Sequence, residues 1–226
     1  MIILAVDTTT FSGSVALLDD TNLVAELNMD SAKTYSERLL PSINFLLEAN
    51  DLSIKDVEAY AVAAGPGSFT GIRIGLSTVK SLAYASSGPV ASVSTLEALA
   101  LKLAYPHRGL VCPVVDAKKK EVYAALFELQ KGRLKEIVPQ GNYKSGHFLS
   151  LLPTHRIISF IGNGTLVYRG KIIDYLRDKA RFPARSCFIA HEVGLLGYEL
   201  LRQGKGVSFE ALKPMYFRKS QAEEND

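Results

Sequence analysis

The stretch from Ala59 to Ser86 constrains the fold more than any other part of the chain. Ala59 to Ala64 is almost wholly apolar, which is typical of a strand that is covered on both faces. Gly65, Pro66 and Gly67 then interrupt the strand. Beyond this break, apolar residues recur every three or four positions, at Phe69, Ile72, Leu76, Val79 and Leu82. The pattern predicts a buried strand, a tight turn and a helix over residues 69–86.

The glycine turn has two interpretations. Free amides at the start of a helix can bind an anion, because the helix dipole converges there. The turn is not a Walker loop, since Gly67 is followed by Ser68 and not by Lys, and a plain strand-to-helix turn is the simpler interpretation. Gly71 and Gly75 each cost the helix about 1 kcal/mol relative to Ala. We therefore expect another backbone, from this chain or from a partner, to lie close to them.

A second pattern, strand–Asp–turn–strand, occurs twice. Apolar runs end at Asp7 and again at Asp116, and a further strand follows each turn. This indicates an internal duplication. Actin-like and hexokinase-like ATPases begin in this way, so we expect an α/β fold of two mixed-sheet domains with flanking helices. The predicted domains are residues 1–106 and 107–226, and the helix predicted over 189–203 either stays with the second domain or packs back on the first.

The two turns differ in composition. Thr8 and Thr9 follow Asp7, and their hydroxyls and amides could hold phosphate, but an aspartate that satisfies the amides of its own turn is the favoured interpretation. The second turn is Ala117 followed by three lysines, residues 118–120. These could bind phosphate or form a solvated hairpin tip, and the pattern favours the tip. Asp7, Thr8 and Thr9 therefore form at best a degenerate cofactor site.

The bulk composition excludes several classes of protein. The chain has 26 basic and 23 acidic residues, a net charge of +3, which does not by itself indicate a nucleic-acid binder. No apolar run approaches the roughly 20 residues that span a bilayer. Two distant cysteines, Cys112 and Cys187, fit a reduced cytoplasmic protein. No two histidines stand three or four residues apart, so no metal site is expected.

Several motifs resemble those of the TsaB (YeaZ) family and occur in that family's order over essentially the whole chain. They are Val6-Asp7-Thr8-Thr9, the block Ala64–Gly75, Pro113–Ala117 with Glu121-Val122-Tyr123, and Pro214–Arg218. The resemblance implies a bacterial subunit of the complex that attaches threonylcarbamoyl to the adenosine beside the tRNA anticodon. It also implies that this chain is an inactive paralogue of the catalytic subunit, TsaD. TsaD-like proteins carry a histidine pair where this chain has Thr95 and Leu99.

The resemblance further implies a set of partners. The chain would pair with a TsaD-like subunit, with a TsaE-like ATPase docking near the heterodimer, and would form a homodimer when alone. ATP and metal are expected on the partner, with no cofactor on this chain, and tRNA would be reached only through the complex. The helices over 34–49 and 69–86 are expected to form the partner interface through Ser36, Leu40, Ile43, Phe69, Gly71, Ile72, Gly75 and Leu76.

Two enzymatic alternatives compete with this interpretation. An active ATPase or kinase of the same superfamily would need glycine and hydroxyl residues in the turn at 117–120, which this turn lacks. A peptidase would need a nucleophile or a metal site, but no Gly-x-Ser-x-Gly motif occurs and Cys112 lies in an apolar strand. We therefore expect no catalytic residues in this chain.

Overall fold

The computed structural model describes residues 1–30, 34–104, 109–130 and 133–218. The strands in these residues are β1 (Ile2–Asp7), β2 (Gly13–Asp19), β3 (Asn22–Met29), β4 (Ala59–Gly65), β5 (Val90–Ser94), β6 (Leu110–Asp116), β7 (Glu121–Gln130), β8 (Arg133–Lys144), β9 (Ile158–Ile161) and β10 (Ala180–Arg181). The helices are α1 (Tyr35–Glu48), α2 (Phe69–Ser86), α3 (Thr95–Ala104), α4 (Ser145–Ser150), α5 (Gly164–Leu176) and α6 (Ala190–Arg202). Short 3-10 turns occur at Ile54–Asp56 and Arg177–Lys179. None of these helices is both long enough and apolar enough to cross a bilayer.

The chain divides into two compact units. Unit 1 comprises Met1–Thr95 and Phe188–Met215, and unit 2 comprises Leu96–Cys187 together with the chain from Tyr216 onward. The division thus falls before α3 and not at residue 106, since α3 belongs to unit 2, where the Gln140 amide donates to Glu97. The predicted boundary residues 106–108 lie outside the described residues. The helix predicted over 189–203 packs on the strands of unit 1.

The two sheets have the same strand order. In unit 1 the order is β3-β2-β1-β4-β5, and in unit 2 it is β8-β7-β6-β9-β10. In each unit the first three strands are antiparallel neighbours, and the first strand also pairs in parallel with the strand that follows a helical segment. This confirms the predicted fold class, two mixed sheets with flanking helices, and the predicted duplication is visible as a repeated topology.

The sheet of unit 1 is covered on both faces. Side chains alternate along a strand, so Val62 packs with α1 and α2, whereas Ala61 faces Gly197 of α6. A Cβ at Gly197 would lie 2.4 Å from the Cβ of Ala61, so only glycine permits this approach. The N-terminus of α6 is fixed because the amides of Ile189 and Ala190 donate to the Ser14 hydroxyl at 3.2 and 2.9 Å.

Unit 2 has its own apolar core. Leu110, Cys112 and Val114 of β6 pack with residues of β7 and with Phe148 of α4 and Ile172 of α5. Strand β8 runs to Lys144, because Gly141, Asn142 and their neighbours complete the ladder with β7. The two-residue strand β10 carries no sequence signal of its own.

Local signals in unit 1 were accurate. A capping box formed by Thr34 and Glu37 is present at the start of α1, within the predicted helix over 34–49, and Pro41 lies inside that helix. Helix α2 has the predicted bounds, and Ser68 caps it by accepting from the Gly71 amide. Near the end of the chain, residues 214–218 form no strand; the Met215 amide donates to the carbonyl of Ala64 instead.

Candidate functional site

The first candidate site is the turn after β1, here called the Asp7 turn (residues 7–13). The Asp7 side chain is fully buried, and its Oδ1 accepts from the amide and the hydroxyl of Thr9 at 2.9 and 2.7 Å. Its other oxygen, Oδ2, has no hydrogen-bond partner among the described residues. Burial raises the pKa of Asp7 to about 6, although the two bonds from Thr9 act in the opposite direction. One oxygen of the carboxylate thus accepts hydrogen bonds within its own turn.

Helix α2 lies directly against the Asp7 turn. The Thr8 hydroxyl donates to the carbonyl of Gly71 at 2.7 Å, and the Ser68 amide donates to the carbonyl of Thr9 at 2.7 Å. A Cβ at Gly71 would lie 2.0 Å from the Thr8 carbonyl oxygen, and one at Gly75 would lie 2.4 Å from the Thr8 hydroxyl. The backbone that the sequence predicted near these glycines therefore comes from this chain.

This geometry corrects part of the predicted partner interface. Gly71 and Gly75 face the Asp7 turn and are buried inside unit 1. Ile43, Ile72 and Leu76 are only 3, 1 and 4% exposed and belong to the core beneath the helices. The expectation that these residues are exposed is wrong, because the stripe that carries them is the stripe that packs on the sheet.

The remaining predicted interface residues lie nearer the surface. Ser36 is exposed, and Leu40 is 54% exposed. Phe69 is half-buried, and the Arg73 guanidinium lies 3.8 Å from the centre of its ring. Helices α1 and α2 contact each other on one side of the sheet, so their outward faces form one layer.

Sequence reasoning missed most of this layer, which we call the α1–α2 face. It adds two large exposed side chains, Phe45 at 60% and Tyr84 at 69%. It also contains a strip of exposed small residues four positions apart on α2, namely Ser77, Ser81 and Ala85. The hydroxyls of Ser77 and Ser81 donate to backbone carbonyls within the helix. The helical spacing of these small residues, on the side opposite Ile72 and Leu76, was the signal that could have identified the strip.

The second candidate site is the turn between β6 and β7 in unit 2. Asp116 accepts from the Lys118 amide at 3.0 Å and from its ammonium group at 2.8 Å. Lys118, Lys119 and Lys120 all have positive φ, at 60, 50 and 63°. The turn offers ammonium groups where a phosphate turn of the ATPase type would offer glycines and hydroxyls.

Neither turn fits the magnesium nucleotide that this fold class often binds. In unit 1 the Thr8 and Thr9 hydroxyls already donate to Gly71 and Asp7. In the part of the chain that the structure describes, no three His, Cys, Asp or Glu side chains are grouped as metal ligands. Apart from Asp7 Oδ2, which has no hydrogen-bond partner among the described residues, the side-chain oxygens of Asp7, Thr8 and Thr9 are hydrogen-bonded. The turn of unit 2 presents ammonium groups, and we derive no nucleotide chemistry from either turn.

Comparison with known proteins identifies the family. A family model described as TsaD, tRNA N6-adenosine threonylcarbamoyltransferase, matches residues 29–225. A curated Bacillus subtilis protein, the tRNA threonylcarbamoyladenosine biosynthesis protein TsaB, is 32% identical over 99% of this chain and 96% of its own length. The chain belongs to the TsaB family. The TsaB protein of Escherichia coli is 28% identical over 98% of this chain and 96% of its own length.

Solved structures agree with this TsaB-family assignment. YeaZ from Pseudomonas aeruginosa is similar with a TM-score of 0.79 and 28% identity, covering 95% of this chain and 99% of that one. A ROK hexokinase from Thermus thermophilus has a TM-score of 0.50 at 10% identity, over 90% of this chain and 100% of that one, which shows the fold alone. The chain is thus a member of a family named for tRNA threonylcarbamoyladenosine biosynthesis, on a hexokinase-like framework.

Proposed function

We propose that this chain is a non-catalytic scaffold subunit that pairs with a TsaD-like catalytic subunit in the formation of threonylcarbamoyladenosine in tRNA. The observation that carries the proposal is the α1–α2 face. It is an exposed layer of apolar and small residues on a unit whose Asp7 turn is occupied by the hydrogen bonds of Thr8 and Thr9 and by the close approach of α2. A framework with a closed turn and an open apolar face is suited to binding a protein partner.

The α1–α2 face has the chemistry of a helix-packing surface. Leu40, Phe45 and Tyr84 each expose between 54 and 69% of their area and would supply apolar surface on burial. Ser77, Ser81 and Ala85 are exposed on α2 along the side that carries Tyr84, and their small size permits a helix of the partner to approach closely. Such an interface would bury large apolar side chains of both helices next to a row of small side chains on α2.

Among the residues that the structure describes, no three His, Cys, Asp or Glu side chains are grouped as metal ligands, which supports a non-catalytic role. Thr95 and Leu99 stand where TsaD-like proteins carry a histidine pair, and both are buried apolar or hydroxyl side chains without an imidazole. Cys112 is fully buried, and burial raises the pKa of its thiol well above the ordinary value, which leaves little reactive thiolate. We therefore assign ATP, metal and the transfer reaction to the partner.

The proposal includes further assembly states. Alone, the same face would pair with a second copy of the chain, since an apolar face that fits a paralogue can fit itself. A TsaE-like ATPase would join the heterodimer, and the complex would act on tRNA in the cytoplasm. Both pairings use one surface, so the homodimer and the heterodimer exclude each other.

A matched pair of substitutions tests the proposal. Leu40→Glu places a carboxylate on the α1–α2 face, where Leu40 is 54% exposed, whereas Leu23→Glu makes the same change on β3, where Leu23 is 43% exposed. We expect Leu40→Glu to weaken binding of the TsaD-like partner by at least about 30-fold, the effect of a hot-spot loss of about 2 kcal/mol. Affinity would be measured by titration calorimetry, and self-association by sedimentation.

Leu23→Glu is expected to bind both the partner and a second copy as the unchanged chain does. Circular dichroism and thermal unfolding would show whether both variants fold. Equal partner affinity for folded Leu40→Glu and Leu23→Glu would remove α1 from the interface. Gly75→Arg, in contrast, is unsuitable as an interface test, because its side chain would collide with Thr8 inside unit 1.

A further inference from the structure

The two units carry opposite net charge. Unit 1 has 8 basic and 13 acidic residues, whereas unit 2 has 18 basic and 10 acidic residues. The net charge of +3 for the whole chain is thus the balance of an acidic unit and a strongly basic one. Charge asymmetry of this kind is a mark of polyanion binding, which an average over the chain conceals.

Six of the cations of unit 2 lie around the turn between β6 and β7, and we call them the basic tip. They are Lys118, Lys119, Lys120, Lys144, Lys171 and Arg218. Hydrogen bonds to the turn hold two of these cations near it. The amide of Ser145, next to Lys144, donates to the Lys120 carbonyl at 3.1 Å. The Arg218 guanidinium donates to the Ala117 carbonyl at 2.9 Å. Lys171 lies 5.8 Å from the ring centre of Tyr168, whose hydroxyl donates to the Glu121 carbonyl.

Only part of this positive charge is balanced locally. Asp116 pairs with Lys118 at 2.8 Å, and Glu121 pairs with Arg218 at 3.2 Å. Lys119 also lies close enough to Glu121 to act on its charge, so Asp116 and Glu121 together face at least three of the six cations. The Lys118 side chain is 76% exposed even though it is paired, so its ammonium group remains open to a further anion.

The backbone holds the three turn lysines outward in an unusual conformation. Positive φ at three consecutive residues is disfavoured for side chains other than those of Gly, Asn and Asp. The turn is nevertheless closed by bonds from the Glu121 amide to the Lys118 carbonyl at 2.8 Å and from the Ala117 amide to the Glu121 carbonyl at 3.1 Å. A simple solvated tip has no need of lysine at these positions, whereas a phosphate contact does.

We propose that the basic tip binds the phosphodiester backbone of RNA and thereby gives the chain its own contact with tRNA. Lysine ammonium groups act as point charges on phosphate and carry no base sequence, so the contact is independent of sequence. The choice of RNA among polyanions rests on the proposed function, since the family is named for tRNA modification.

The test removes the charge without straining the turn. The triple variant Lys118→Asn, Lys119→Asn and Lys120→Asn keeps a residue type that tolerates positive φ. The matched control is Lys55→Asn, Lys205→Asn and Lys213→Asn, which removes three exposed lysines from unit 1. Filter binding of each isolated protein to a tRNA transcript would be measured over a range of salt concentrations, with phosphatidylserine vesicles as a second ligand.

We expect the tip variant to bind tRNA at least tenfold more weakly at low salt. Its slope of log K against log salt should be smaller than that of the unchanged protein by about 2 to 3, which corresponds to three lost phosphate contacts. The control should retain the slope of the unchanged protein. An equal slope for both variants, or binding to the vesicles without binding to tRNA, would overturn the proposal.

The result can be separated from the scaffold proposal. RNA binding is measured without a partner, and the tip variant should still bind the TsaD-like subunit, because the tip lies in unit 2 and the α1–α2 face in unit 1. If the unchanged chain bound tRNA but did not bind the TsaD-like subunit, the scaffold role would be excluded and the RNA contact would remain. If the chain bound the TsaD-like subunit but the tip variant and the control had the same salt slope, the RNA contact would be excluded and the scaffold role would remain.

Discussion

The two units repeat one strand order, yet the turns that follow Asp7 and Asp116 are built in opposite ways. Asp7 is fully buried and bonded to Thr9, and glycines bring α2 against its turn. Asp116 is bonded to Lys118, and its turn projects three exposed lysines. The comparison teaches that a duplicated framework fixes where a turn lies but not its chemistry. The turn after Asp7 is closed, because α2 packs against it, whereas the turn after Asp116 is open and presents charged side chains to solvent.

The largest expected effect concerns the closed copy. Gly71→Ala would place a Cβ 2.0 Å from the Thr8 carbonyl, so α2 must shift away from the Asp7 turn. We expect the free energy of unfolding to fall by about 3 kcal/mol, the upper end of what overpacking a core costs. The matched variant in unit 2 is Gly170→Ala on α5, where a Cβ would meet nothing within 4 Å. It should instead raise stability by about 0.5 to 1 kcal/mol, because Ala favours helix.

Urea unfolding followed by circular dichroism would measure both variants. The two effects should have opposite signs although the chemical change is the same. If Gly71→Ala were as stable as the unchanged chain, the close contact between α2 and the Asp7 turn would be wrong, and the closed and open copies would no longer differ in packing.

The next effect concerns the two aspartates. The pKa of Asp7 rises from 3.8 to about 6 on folding, so between these values the folded state holds more protons than the unfolded state and stability falls as pH rises. Asp7→Asn keeps an oxygen for Thr9 and removes the buried charge. It should therefore raise the free energy of unfolding by about 1 to 3 kcal/mol above pH 7, and the gain should vanish below pH 4.

Asp116→Asn is the matched change in unit 2. It removes the carboxylate from a pair whose lysine, Lys118, is 76% exposed, so we expect a small loss of stability at neutral pH and not a gain. Urea midpoints from pH 4 to pH 8 would compare the two. A pH-independent effect of Asp7→Asn would show that Asp7 is not a buried charge at neutral pH.

The smallest effect concerns backbone strain in the open copy. Lys119→Gly relieves a positive φ of 50° and should raise stability by about 0.5 to 1 kcal/mol. Asp20 in the turn between β2 and β3 has a φ of 53°, but aspartate tolerates this region and its carboxylate pairs with the N-terminal amine at 3.2 Å. Asp20→Gly should bring no gain in thermal unfolding, and a gain equal to that of Lys119→Gly would contradict the strain argument.

Local signals in the sequence predicted most of the elements. The apolar run of β4 and the periodicity of α2 each depend on neighbours within a few residues, and both elements lie where the sequence predicted them. The repeated strand–Asp–turn–strand pattern predicted the duplication for the same reason. Strand β10 has two residues and pairs with β9, so no local pattern could reveal it.

The candidate sites were harder to predict because they depend on long-range contacts. Thr8 and Gly71 are 63 positions apart, and only the fold shows that this pair accounts for the glycines. The small strip at Ser77 and Ser81 became visible once the inward side of α2 was known. The net positive charge of unit 2 can be counted from the sequence, but only within one domain. The near balance of 26 basic and 23 acidic residues over the whole chain conceals it.

The path of the chain through the two units also sets the order in which they can be completed during synthesis. Helix α6 covers one face of the first sheet, and Ser14 receives the amides of Ile189 and Ala190. A nascent chain emerging from the ribosome therefore presents the first sheet with that face bare until the segment beginning at Phe188 has left the exit tunnel, whereas the strands of the second sheet are all available before then.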